Sequence, residues 1–162
     1  MIDPRNLVSV FLLWLASLAA VQAQVTIHVH LIYLNNGKPA AGQQVVLYEG
    51  DPQHMSPSEW HSQSRVPKAL TSSEGTAVFQ IHDPLPNTVE VNVGNGRIRG
   101  CAMGNQLPLD LVIKQGVTIG VDARFGSSCK GDRSLLTRFA AKPGEVVIFV
   151  RKQTAWDNLR EY

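Results

Sequence analysis

Hydrophobic residues recur along this chain with a period of two. Val25, Ile27, Val29, Leu31 and Tyr33 alternate with Thr26, His28, His30, Ile32 and Leu34. Successive side chains on a strand point to opposite faces, so residues 25–34 are predicted to form one. The second face is polar at its start and apolar at its end, as in a strand that runs progressively deeper into a core. Asn35-Asn36-Gly37 tolerate positive φ and turn the chain. Pro39 and Gly42 extend that loop before a second strand at 43–49. The same pattern predicts strands at 68–71, 76–81, 88–93, 97–103, 109–113, 117–121 and 145–151, separated by Gly-, Pro- and Ser-rich turns. About seven to nine short strands with no long helical period indicate an all-β sandwich.

Three stretches fall outside this rhythm. Residues 7–21 (LVSVFLLWLASLAAV) are apolar apart from two serines, Arg5 precedes them, and Val21-Gln22-Ala23 offers small residues where a signal peptidase reads. A membrane span needs about 20 residues, so residues 1–23 are expected to be a cleavable signal peptide cut before Gln24. The mature protein would then be secreted or periplasmic, with a sandwich over 24–152. Residues 50–67 form a long polar loop holding Pro52, Pro57 and Pro67 with His54, Trp60, His61 and Arg65. Loops of this length are usually functional or mobile. Residues 153–162 read as a short helical tail in which Trp156 and Leu159 share a face. That tail either docks on the sandwich or touches a membrane surface beside Arg151, Lys152 and Arg160.

Composition agrees. Hydrophobic residues make up 44% of the 162 positions, enough for a packed core, while only 17% are charged, which suits a turn-rich β domain. A net charge of +2, with its basic residues scattered, excludes a nucleic-acid binder. Two cysteines, Cys101 and Cys129, follow the leader. In an oxidising compartment such a pair is expected to form a disulfide, worth roughly 3–4 kcal/mol in the chain-entropy model. A metal pair or a catalytic thiol would need histidine or thiol neighbours that neither has.

Two motifs resemble a known group. Gly37-Lys38-Pro39-Ala40-Ala41-Gly42-Gln43-Gln44-Val45-Val46-Leu47 resembles the G-x-P-x-x-G-x-x-V-x-L opening of carboxypeptidase regulatory-like domains, which belong to the prealbumin-like (transthyretin-like) sandwiches. Thr71-Ser72-Ser73-Glu74-Gly75-Thr76-Ala77-Val78-Phe79 resembles the T-D-x-x-G-x-A-x-F hairpin of the same group, with Ser72 in place of the aspartate. The likeness covers residues 25–93 and implies an Ig-like or prealbumin-like sandwich serving as a binding, spacer or accessory module. The second half, through Gly126-Ser127-Ser128-Cys129 and Lys142-Pro143-Gly144-Glu145-Val146, is similar to secreted proteins of soil bacteria and implies no activity.

Few residues point to chemistry. His28 and His30 lie two apart on one strand, about 6.6 Å along the same face, a spacing at which two imidazoles grip one divalent metal ion. A third ligand would have to come from His54, His61 or His82; otherwise both histidines belong to a solvated face. Intradiol ring-cleaving dioxygenases share this sandwich and a His-x-His pair, but theirs follows the Gly-rich hairpin, whereas His28 and His30 precede it. Gly94-x-Gly96-x-x-x-Gly100 leads into an alternating Arg97-Ile98-Arg99 and reads as a hairpin, because a phosphate site needs a helix there. The loop residues His54, Trp60, His61 and Arg65 are the candidates for gripping a protein, peptide or carbohydrate, unless Trp60 tucks under the loop and caps the core. The expectation is therefore an extracytoplasmic binding or structural module with no catalysis and no cofactor. The alternatives are a small metal-dependent enzyme built on His28 and His30, and an accessory protein that meets lipid through Trp156 and Leu159.

Overall fold

A computed structural model describes residues 24–50, 66–93, 98–101, 106–119 and 133–153. Among the described residues, nine strands and two short helices follow in the order β1 (Gln24–Tyr33), β2 (Gln44–Glu49), β3 (Lys68–Leu70), β4 (Thr76–His82), β5 (Thr88–Val93), β6 (Ile98–Gly100), β7 (Gln106–Pro108), α1 (Leu109–Gln115), β8 (Val117–Ile119), α2 (Arg133–Arg138) and β9 (Glu145–Lys152). One sheet runs β4-β1-β9-β6, with β8 also paired to β9; the other runs β3-β2-β5-β7. The two pack face to face as an all-β sandwich. Ile27, Val29 and Leu31 of β1, Val45 and Leu47 of β2, Phe79 and Ile81 of β4, and Val89, Val91 and Val93 of β5 fill the space between them.

β9 is buried on both sides. Val146, Ile148 and Val150 enter the core between the sheets, while Val147 and Phe149 join a second cluster with Ile32, Leu34 and Cys101 on the outer face. It lies parallel to both β1 and β8, which explains why its sequence is a continuous apolar run rather than an alternation. The outer cluster is roofed by Leu135, Phe139 and Ala141 from α2 and the segment after it. That roof accounts for the outer face of β1, where Thr26 and His28 are exposed, His30 is half-buried, and Ile32 and Leu34 are buried.

The two motif stretches meet in space. Thr71, 5% exposed, donates its hydroxyl to the Ala40 carbonyl at 2.6 Å and accepts the Gln43 N–H at 2.9 Å. Its own backbone bonds to Gln43 and Gly42 complete the clamp. Ser72 Oγ accepts the N–H groups of Glu74 and Thr76 at 3.2 and 3.4 Å, so a hydroxyl holds the turn. Thr71→Val keeps the shape of the side chain but strands a buried carbonyl and an N–H. It is expected to cost about 1–3 kcal/mol in urea unfolding; a loss under half a kcal/mol would show the clamp to be dispensable.

Residues 109–113, expected as a strand, form α1 instead. Leu109 and Val112, three apart, are the buried positions, Asp110 and Lys114 pair across one turn at 3.5 Å, and Gly116 ends the helix. A run as short as Leu-Asp-Leu-Val-Ile fits either period, and packing decided between them. The expected leader (1–23), the turn at Gly94–Arg97 and the tail at 154–162 lie outside the described residues.

Candidate functional site

Five segments converge over the middle of β1's outer face. β1 supplies His30 and Ile32, and the loop after it supplies Pro39. The turn into β4 brings Glu74 and Thr76, the end of α2 and the residues after it bring Arg138, Phe139 and Ala140, and the start of β9 brings Glu145 and Val147. Together they line an open cleft of about 390 Å³, within the range of small-ligand sites.

Each polar side chain is placed by an identifiable local cause. Thr76 is the register partner of His30 across the β1–β4 pair, and its Oγ1 lies 2.9 Å from His30 Nδ1. Lys142-Pro143-Gly144-Glu145 is a tight turn, closed by the Glu145 N–H donating to the Lys142 carbonyl, with Gly144 at φ +80°. Proline followed by a positive-φ glycine is the signature of a type II turn. Glu145 Oε2 then accepts the Lys142 N–H at 3.0 Å, which leaves Oε1 turned toward His30. Arg138 lies 5.3 Å over the Phe139 ring, and Phe139 meets Phe149 edge-on at 6.3 Å, so the guanidinium is carried on a wall anchored in the outer cluster.

His30 is the central group. Its Nε2 lies 3.7 Å from Glu145 Oε1, too far for a hydrogen bond, and is buried without a hydrogen-bond partner. Loss of hydration holds the imidazole below its ordinary pKa; the Glu145 carboxylate opposes this, while His28 and Lys142 add to it. At neutral pH the ring is therefore uncharged, with one nitrogen engaged by a hydroxyl and the other facing a carboxylate.

Of the expected site residues, the structure places His28 and His30 on one face of β1, as the spacing required, but in unlike surroundings. His28 is exposed, whereas His30 is half-buried. His82, a proposed third ligand, sits opposite Gln24, away from His30. As the side chains stand, no three His, Cys, Asp or Glu residues among those described are gathered around a common point suited to an ion. Cys101 is buried in the outer cluster and is not a free thiol; Cys129 lies outside the described residues. So do His54, Trp60, His61 and Arg65, and Trp156 and Leu159 of the tail. Among the described residues no helix is long and apolar enough to cross a membrane.

Thr76, Glu74, Arg138 and Glu145 were not anticipated. The Pro-Gly turn marks Glu145 as the first residue of its strand, but only the parallel pairing of β9 with β1 brings it to His30. Comparison of the chain with protein-family models, curated proteins and solved structures finds no match to any of them.

Proposed function

We propose that this protein is an extracytoplasmic binding module whose ligand enters the cleft around His30. The observation that carries the reading is the lining itself: Glu74, Thr76, His30, Glu145 and Arg138 present polar groups from four segments of a rigid sandwich. Acceptors outnumber cationic donors there, since two carboxylates, a hydroxyl and a neutral imidazole face one guanidinium. Such a cleft favours a ligand rich in hydroxyl or amine donors, a carbohydrate or a basic peptide side chain, over an anion. The apolar 7–21 leader supports export, and so does the disulfide-bonded state of Cys101, because such bonds persist in oxidising compartments. The chain has one other cysteine, Cys129, which we assign as the partner. The likeness of residues 37–47 and 71–79 to carboxypeptidase regulatory-like domains fits an accessory role.

Backbone-amide NMR titration tests this with N-acetylglucosamine oligomers and with lysine- and glutamate-containing tetrapeptides. Shifts should concentrate at Glu74, Thr76, Ala140 and Val147 for the sugar or the lysine peptide. Glu145→Gln should weaken that binding about tenfold, as expected for a lost charge-assisted contact. Shifts that scatter over the surface, or that follow the glutamate peptide, would overturn the assignment.

A further inference from the structure

The distance between His30 Nε2 and Glu145 Oε1 fits neither of the usual ways of joining an imidazole to a carboxylate. A direct hydrogen bond would bring the two atoms to about 2.8 Å. A water held by both would part them to about 4.4 Å, for two hydrogen bonds of ordinary length at a tetrahedral angle. Two ligands of one tetrahedral zinc-like ion stand about 3.3 Å apart, given bond lengths near 2.0–2.1 Å. The observed 3.7 Å lies between the water-bridged and direct spacings and within a few tenths of an ångström of the metal-bridged one. The nitrogen is also a buried polar atom with no hydrogen-bond partner, and such groups in folded proteins call for a partner, an ion included.

The surroundings supply what a metal ligand needs. His30 Nδ1 is engaged by Thr76 Oγ1 at 2.9 Å; when Nδ1–H donates to that oxygen, the lone pair is on Nε2, and the ring is oriented as in protein metal sites. Glu145 is the direct register partner of His28 across the β1–β9 pair, so His28, His30 and Glu145 occupy three neighbouring positions on one sheet face. The set is not closed as it stands, because His28 points into solvent. Its exposure leaves it free to change rotamer and swing in.

We propose that His30 Nε2, Glu145 Oε1 and His28 bind a divalent transition-metal ion of the zinc class. The remaining coordination position opens into the cleft. Two imidazoles and one carboxylate are a donor set for Zn²⁺, Cu²⁺ or Ni²⁺ rather than for Mg²⁺ or Ca²⁺. The site lies in the cleft assigned above to a polar ligand, but it depends on no organic ligand, and the two readings fail separately: metal binding is read without sugar or peptide, and the NMR titration is run with chelator present.

The test is calorimetric titration of tag-free protein with ZnCl₂, alongside visible absorption with Co²⁺. One ion per chain should bind, with ligand-field bands of low-coordinate Co²⁺. His28→Ala and Glu145→Gln should each weaken Zn²⁺ binding by about 10–100-fold, at least the effect of losing an outer-shell partner, while His82→Ala leaves it unchanged. Thr76→Val should weaken it about tenfold through the orientation of His30. Circular dichroism of each variant confirms that the fold is retained. Absence of binding in the wild type would overturn the proposal. So would binding that survives Glu145→Gln, or binding that survives His28→Ala with His30→Ala and disappears with His54→Ala and His61→Ala.

Discussion

Gly116→Ala is expected to destabilise the protein by on the order of 4 kcal/mol, a large share of what a domain of this size has to lose. Gly116 ends α1 at φ 75°, ψ 160°, a conformation that essentially only glycine adopts. A Cβ there would stand 2.1 Å from the Lys142 carbonyl oxygen and 2.7 Å from its carbon. Both are backbone atoms of the turn that sets Glu145 at the head of β9, so no side chain can step aside. Either the end of α1 or the Lys142–Glu145 turn must move. Gly42→Ala is the matched control: Gly42 has φ +67° with nothing within 4 Å of the added carbon, and should lose only the backbone term, about 1–2 kcal/mol. Urea unfolding of the pair separates conformational strain from collision. Equal losses for both variants would mean that the turn gives way without cost.

Phe149→Ala carries the second large effect, about 3–5 kcal/mol for emptying a fully buried aromatic site. Phe149 is 0% exposed and is the side chain against which Phe139 packs edge-on at 73°. Its loss should be felt unequally. The core between the sheets keeps Val146, Ile148 and Val150 of the same strand, whereas the outer cluster loses its largest member and α2 its anchor. Hydrogen exchange is the discriminating measurement. The Phe139 amide, bonded to the Leu135 carbonyl at 3.1 Å, should lose protection well before the β1–β4 amides do. If all amides lose protection together, α2 is part of one cooperative unit with the sandwich.

The strands were legible where one face is buried and the other wet. Residues 25–34, 43–49, 76–81, 88–93 and 145–151 correspond within a residue at either end to β1, β2, β4, β5 and β9, because alternation records a half-buried strand directly. The β7 segment of three residues is too short to show a period, and α1 uses a run that reads equally well as strand. The site was half legible. The His-x-His spacing correctly set two imidazoles on one face, and the drift of that face from polar to apolar foretold that something covers its far end. What covers it, α2, and what stands beside His30, Glu145 and Thr76, depend on pairings between distant parts of the chain. No local pattern encodes the parallel register of β1 with β9.

That register also governs assembly. His28 meets Glu145 and Tyr33 meets Val150, so the middle of one sheet cannot close until most of the domain has been made. Loop closure over such separations slows folding. In the interval β1 has β4 on one side and an open edge on the other, over residues that are apolar on both faces near Leu31 and Ile32. The Val146–Val150 stretch that fills this gap contains no proline and no charge, and it fills the same gap in a neighbouring copy equally well. Exchange of β9 between two half-folded chains is therefore the misassembly to which this topology is most exposed.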